Sequence, residues 1–168
     1  MSETRKTHFI ACSLSVCCFL LILSPTSLVF AAEDEFDELQ TLDFKIDGTY
    51  EEEAAVFRYR YKNIGSDEEA FRLDVTTESG QRMGVILDKG DNKVFFKEME
   101  ASNWQILPSM MLTQWWKQWR EPHLGGNQGA TFWRNIEGEK YVIEDEDQTV
   151  TIYEVVVDKP IEDSVFSP

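Results

Sequence analysis

The side chains able to do covalent or acid–base chemistry are few in this sequence. It has two histidines, His8 and His123, and three cysteines, Cys12, Cys17 and Cys18. Only His123 lies beyond the apolar N-terminal segment. A hydrolytic triad would have to be assembled on it, and no G-x-S-x-G nucleophile turn accompanies it. Asp and Glu together number 31, so carboxylate pairs are plentiful. Glycosidic acid–base work, however, needs two carboxyls at a fixed separation, and no pair is singled out by sequence. Asp88-Lys89-Gly90-Asp91-Asn92 starts like a calcium loop. The glycine at position six and the glutamate at position twelve are missing, and a hairpin turn explains the stretch better. Asp145-Glu146-Asp147 reads as a solvated turn. These residues predict no enzyme, no cofactor and no metal. A secreted hydrolase working through acidic residues is the weakest functional reading.

The aromatic residues carry more information. All five tryptophans fall between Trp104 and Trp133, and three of them lie in "LPSMMLTQWWKQWREPHLGG", residues 107–126. Pro108 suits a first helical turn, where its missing N–H is not needed. At roughly 100° per residue, Pro108, Leu112, Trp115, Trp116 and Trp119 share one stripe. Thr113, Gln114, Lys117 and Arg120 face away, and Met110 falls outside the stripe. Pro122 and Gly125-Gly126 are expected to end the helix. Such a helix can cap a core, but three tryptophans exceed what a tight two-layer core of this size needs. With Met111 and the exposed Met110 it offers an adaptable apolar surface. Indoles can also keep a polar tip wet at the mouth of a cavity.

The elements around this helix read as strands of period two. Leu42, Phe44 and Ile46 alternate with Asp43, Lys45 and Asp47. Ala55, Phe57, Tyr59 and Tyr61 alternate with Val56, Arg58, Arg60 and Lys62. Phe71, Leu73 and Val75 alternate with Arg72, Asp74 and Thr76. This is the pattern of half-buried antiparallel strands. Met83 to Leu87, Lys93 to Lys97, Ala130 to Asn135, Lys140 to Ile143 and Thr149 to Val157 supply further strands. Turn signals separate them: Asp47-Gly48, Asn63 to Asp67, Glu78-Ser79-Gly80, Lys89 to Asn92 and Glu137-Gly138. The expected fold is α+β: a curved antiparallel sheet, an incomplete barrel, with the tryptophan helix as a lid over its concave face. Phe57, Tyr59, Tyr61, Phe71, Leu73 and Val75 on the sheet are the candidate ligand-binding residues, with Met83, Val85 and Leu87 extending the same face. Met111, Leu112, Trp115, Trp116 and Trp119 are their counterparts on the helix.

The N-terminus reads as an export signal. Arg5 and Lys6 precede an apolar run from Phe9 to Leu23, and Val29 and Ala31 fit the −3 and −1 positions of a cleavage site. The rival is an uncleaved anchor spanning Phe9 to Phe30. Residues 1–31 are thus a signal peptide, 32–41 an acidic flexible leader, and 42–168 one domain in the periplasm or extracellular space. Cleavage after Ala31 leaves 137 residues, enough for one core without staples. It also leaves 30 acidic against 14 basic side chains, a balance that excludes nucleic acid and anionic membrane surfaces as partners.

"AFRLDVTTESGQRMGVILDKGDNKVFF", Ala70 to Phe96, resembles the central hairpins of the LolA/LolB-like lipoprotein-carrier superfamily. The ending "VDKPIEDSVFSP", Val157 to Pro168, resembles its closing segment. Phe71, Arg72 and Leu73 match the aromatic-Arg strand, Asp88 and Gly90 the turn, and Phe166 the terminal aromatic. The long N-terminal amphipathic helix is replaced here by the acidic leader, the aromatic-Asp-Pro after the central turn is absent, and the lid-holding arginine has no counterpart. The resemblance implies an exported protein that holds lipid or lipoprotein acyl chains in its concavity, with a membrane or lipoprotein partner. The expected function is non-enzymatic binding of an amphiphile. The alternative is an exported interaction module whose Trp/Met helix docks a protein.

Overall fold

The structure, a computed structural model, describes residues 39–99, 101–124, 129–145 and 148–168. The signal and most of the leader, the Gly125-Gly126 stop and the Glu146-Asp147 turn lie outside the described residues. Six strands follow one another: β1 (Thr41–Tyr50), β2 (Glu53–Lys62), β3 (Ala70–Thr77), β4 (Arg82–Asp88), β5 (Lys93–Lys97) and β6 (Gln105–Leu107). Then come helices α1 (Met110–Leu124) and α2 (Gly129–Asn135), strands β7 (Tyr141–Asp145) and β8 (Gln148–Val157), and a 3-10 turn at Asp163–Phe166. All eight strands form one curved antiparallel sheet in the order β6-β5-β4-β3-β2-β1-β8-β7, open at both edges. Chain neighbours pair from β1 to β6. The β7–β8 hairpin returns after the helices to extend the sheet beside β1.

Period-two patterning sorts the side chains. Facing each other across the ladders on one side are Leu42 and Tyr61, Phe44 and Tyr59, Tyr61 and Phe71, Tyr59 and Leu73, Phe57 and Val75, Leu73 and Val85, and Phe71 and Leu87. All of these are buried. Thus α1 and α2 supply the second layer of the core, through Leu112, Trp119, Trp133 and the adjoining Ile136. At the β1–β8 border the register shifts between Asp43 and Lys45, with Glu154 at φ 51°. This one-residue bulge lets both Val155 and Ile152 turn to the core, while Glu154 reaches Lys45 at 2.6 Å.

The opposite side of the sheet is an ion ladder. Arg58 holds Asp43 in a two-pronged contact at 3.0 and 2.7 Å, and Arg60 and Arg72 share Asp74. The guanidinium of Arg72 also lies 5.3 Å from the Trp104 ring and donates to the Val165 carbonyl at 2.7 Å. Trp104 lies directly against Gly84, where a Cβ would collide with the indole. Glycine at that strand position leaves room for the indole to approach the sheet backbone.

Five sequence expectations are corrected. Asp47-Gly48 is not a turn, because β1 runs on to Tyr50 and the reversal is made by Glu51 and Glu52, at φ 49° and 71°. Ala130 to Asn135 is helical, within α2. There the buried Trp133 and Ile136 stand three residues apart on one helical face, and Ile136 N–H bonds the Phe132 carbonyl at 3.3 Å. A second helix therefore joins the one expected. Pro108 precedes α1 and is exposed, off the buried stripe, its carbonyl accepting from Met111 N–H at 2.9 Å. Pro122 does not end α1, which continues to Leu124. A proline removes one backbone donor, yet the helix carries on to place His123 against Tyr61 and Trp133.

Candidate functional site

The floor of the site is an aromatic cluster on β1–β3. Phe44 stacks on Tyr59 at 5.0 Å, Tyr61 packs on Phe71 at 4.9 Å, and Trp133 from α2 lies 4.3 Å from Phe44. Register dictates this grouping, since Phe44, Tyr59 and Leu73 form one cross-strand row and Leu42, Tyr61 and Phe71 the next. Over it lies α1, and its two halves are held differently.

The C-terminal half is pinned by directional bonds. The Tyr61 hydroxyl lies 3.0 Å from the Trp119 carbonyl and 2.8 Å from His123 Nδ1. Trp133 Nε1 donates to the His123 carbonyl at 2.8 Å, tying α2 to the same point. Arg120 Nε donates to Glu69 Oε1 at 2.7 Å, and Glu69 Oε2 accepts the Gly65 N–H at 3.0 Å. The carboxylate of Glu69 is 2% exposed. A buried acid in that state needs each of those partners. His123, 4% exposed, packs its ring against Tyr59 at 4.5 Å and Phe44 at 5.2 Å. Burial in this aromatic surround pushes its pKa down to about 4, against a weaker upward pull from the Trp119 carbonyl. Burial likewise raises the Tyr59 and Tyr61 phenols above their ordinary range. Both are un-ionised at neutral pH.

Among the described residues the N-terminal half rests on van der Waals contact. Leu112 is buried, Met111, Trp115 and Trp116 are half-buried, and Trp115 meets Phe96 of β5 edge-on at 5.9 Å. Met110 is 83% exposed, as its place on the helical wheel requires. The bonded end of the helix is therefore the C-terminal one. The polar partners that fix a helix are gathered at Trp119, Arg120 and His123.

Of the candidate residues, Phe57, Tyr59, Tyr61, Phe71, Leu73 and Val75 share the covered sheet face and are buried, as are Leu112 and Trp119 above them. Met111, Trp115 and Trp116 stay half open to solvent on α1. Three residues that matter were not among the candidates. His123 falls within roughly 20° of Leu112 on a helical wheel, a signal discarded by stopping the helix at Pro122. Arg120 falls on the solvent side of the helical wheel, yet it reaches across to Glu69. Glu69 itself carried no signal, because acids crowd the loop from Asp67 to Glu69.

Among the described residues no three or more of His, Cys, Asp and Glu cluster as metal ligands would, and no helix is long and apolar enough to cross a membrane. No family model, characterised protein or solved structure matches this chain.

Proposed function

We propose that this protein is an exported, non-enzymatic binder or carrier of an amphiphile, with lipid or lipoprotein acyl chains as the ligand class. The unequal attachment of α1 is the observation that carries this reading. Its C-terminal half is bonded through Trp119, Arg120 and His123, while Met111, Trp115 and Trp116 merely lean on the sheet and remain half open. A lid needs one fixed end and one end that can lift. In this reading the sheet is the wall of an incomplete barrel, and an acyl chain slides beneath the N-terminal half of α1 toward Tyr59, Phe71 and Leu73. The likeness of Ala70–Phe96 and Val157–Pro168 to LolA/LolB-like carriers supports the same ligand class. Export is supported by the basic, apolar and small-residue order of the first 31 residues.

Mass spectrometry of organic extracts from natively purified protein tests the reading. Co-purified lipid is the expected result, together with a blue shift of tryptophan emission when an amphiphile is added to lipid-stripped protein. A spectrum indifferent to every amphiphile tried, in folded protein, refutes it. The second reading is a protein-docking module. It is favoured by the exposure of Met110, at 83%, and Ile106, at 72%. A clean extract with a stable stoichiometric protein partner would put that reading first.

A further inference from the structure

The two edges of the sheet differ in what they offer. At one, β6 has only three residues, Gln105–Leu107, and the exposed Pro108 follows it. A short strand stopped by proline gives a further strand little to pair with. At the other, β7 runs for five residues in unbroken register with β8, from Tyr141 opposite Ile152 to Asp145 opposite Gln148. Among the described residues no strand lies on its far side. In an antiparallel ladder alternate residues turn both N–H and C=O to the same neighbour, so about half of β7 turns these groups outward. A charge in mid-strand, a proline or a bulge usually closes such an edge. Tyr141-Val142-Ile143 has none of them. Tyr141 opposes the core residue Ile152, so it and Ile143 lie on the helix-covered side, where the Tyr141 ring meets Phe132 edge-on at 5.5 Å. Val142 lies on the opposite side. Both sides of the edge are therefore apolar, and Tyr141 and Val142 are 41% and 43% exposed. The flanks are acidic, with six carboxylate residues and one lysine between Glu137 and Asp147. Glu139 and Glu144 are exposed, and among the described residues neither forms an ion pair.

We propose that β7 takes up an extended basic segment of another protein as an added strand. The segment matches the five residues of β7, is apolar at alternate positions, and carries lysine or arginine on both flanks. Main-chain bonds along the edge supply the affinity, while Tyr141 and Ile143 on one side and Val142 on the other receive the alternate side chains. Charge selects this occupant. The basic flanks meet Glu139 at one end of the strand and Glu144 at the other, so they bring opposite charge to carboxylates that the fold leaves unpaired. A second copy of the chain is disfavoured, because two acidic edges would then face each other, each on a molecule of formal charge −15. An acidic segment fails for the same reason. None of these residues lines the ligand path described above, so neither reading depends on the other.

The probe is a blocked, fluorescently labelled peptide of alternating valine and threonine with two arginines at each end, titrated into the intact protein and followed by anisotropy. It should bind, and exchanging its arginines for glutamates should weaken binding by about tenfold or more at low salt. Two further peptides carry N-methyl groups on one or the other alternate set of amides. One set faces β7 and the other faces solvent, so one methylated peptide should lose binding and the other keep it. Hydrogen exchange should slow at the outward amides of β7 and stay unchanged in β2 and β3. Val142→Lys, at an exposed position, should weaken binding about tenfold. If both methylated peptides bind alike, or no amide of β7 gains protection, the attraction is charge alone and the proposal is overturned. It is equally overturned if the arginine-flanked peptide does not bind. Sedimentation showing the protein paired with itself, and returned to a monomer by Val142→Lys, would assign the edge to a second copy instead. The methylated peptides need no variant, so a Val142→Lys protein that failed to fold would still leave the outcome decided.

Discussion

Acidification should weaken this fold through one buried side chain. His123 is held neutral in the folded protein, with a pKa of about 4 against an ordinary 6.5. Between those values the unfolded chain takes up a proton that the folded chain refuses. Stability from this source is therefore complete above about pH 6.5, declines as the pH falls toward 4, and declines no further below that, where both states are protonated. A gap of about 2.5 units at about 1.36 kcal/mol per unit gives roughly 3 kcal/mol, a large fraction of a typical domain's stability. Other groups oppose it. With 31 acidic and 16 basic side chains, the chain repels itself at neutral pH, and protonating carboxylates relieves that strain.

The quantity to measure is thus a difference. Urea unfolding followed by circular dichroism from pH 7.5 to 4, on the wild type and on His123→Leu, subtracts the carboxylates common to both. The wild type should lose about 3 kcal/mol relative to the variant across that range. Parallel stability curves would refute the argument. So would a His123 titration midpoint near 6.5 in the folded protein, since a neutral buried imidazole is the premise.

Three further outcomes are expected. Replacing Glu51 by Asn and Glu52 by Gly should raise stability by about 1–2 kcal/mol in chemical denaturation, because both residues sit at positive φ in a two-residue hairpin that Asn-Gly adopts without strain. Trp119→Ala should cost about 3–5 kcal/mol as a fully buried large-to-small change, whereas Trp116→Ala, half open, should cost far less stability and instead weaken amphiphile binding. Glu69→Ala, which strands Arg120 and the Gly65 N–H, should cost up to about 3 kcal/mol. It should also speed hydrogen exchange in α1 more than in β2 or β3.

The sheet was legible in the sequence because its strands alternate cleanly. Tyr59 and Tyr61 among arginines, or Leu73 and Val75 beside Asp74, admit only one face to the core, and a one-residue slip would bury the charges. The errors came where two local signals competed. Asp47-Gly48 has turn chemistry, yet Gly48 pairs with Ala55 in a continuing ladder, and the reversal falls on two glutamates no turn rule would choose. In the stretch Ala130 to Asn135, β-branched and aromatic residues outvoted a three-residue spacing of Trp133 and Ile136. That spacing becomes decisive only when there is a Phe44 ring to pack against. The β1–β8 pairing and its bulge join residues over a hundred positions apart, and no local pattern encodes such a pairing.

The site shows the same limit in sharper form. Apolar stripes place a helix on a sheet but fix its rotation and axial position weakly, because one large ring fits nearly as well as another a turn away. Directional bonds remove that freedom. Tyr61 can meet the Trp119 carbonyl and His123 Nδ1 together in one axial setting of α1, and Arg120 must at the same moment reach Glu69. These contacts depend on atoms from β2, the β2–β3 loop and α1 arriving at one place, so the sequence of any one element is silent about them. A buried polar network of this kind discriminates between near-equal packings because a wrong setting strands charged or hydrogen-bonding groups. All of it lies at one end of α1. Among the described residues nothing comparable restrains the helix from Trp116 toward Met110, so displacement of that end breaks the dispersion contacts described there. In that half of α1 an apolar ligand could replace what the sheet supplies at small net cost.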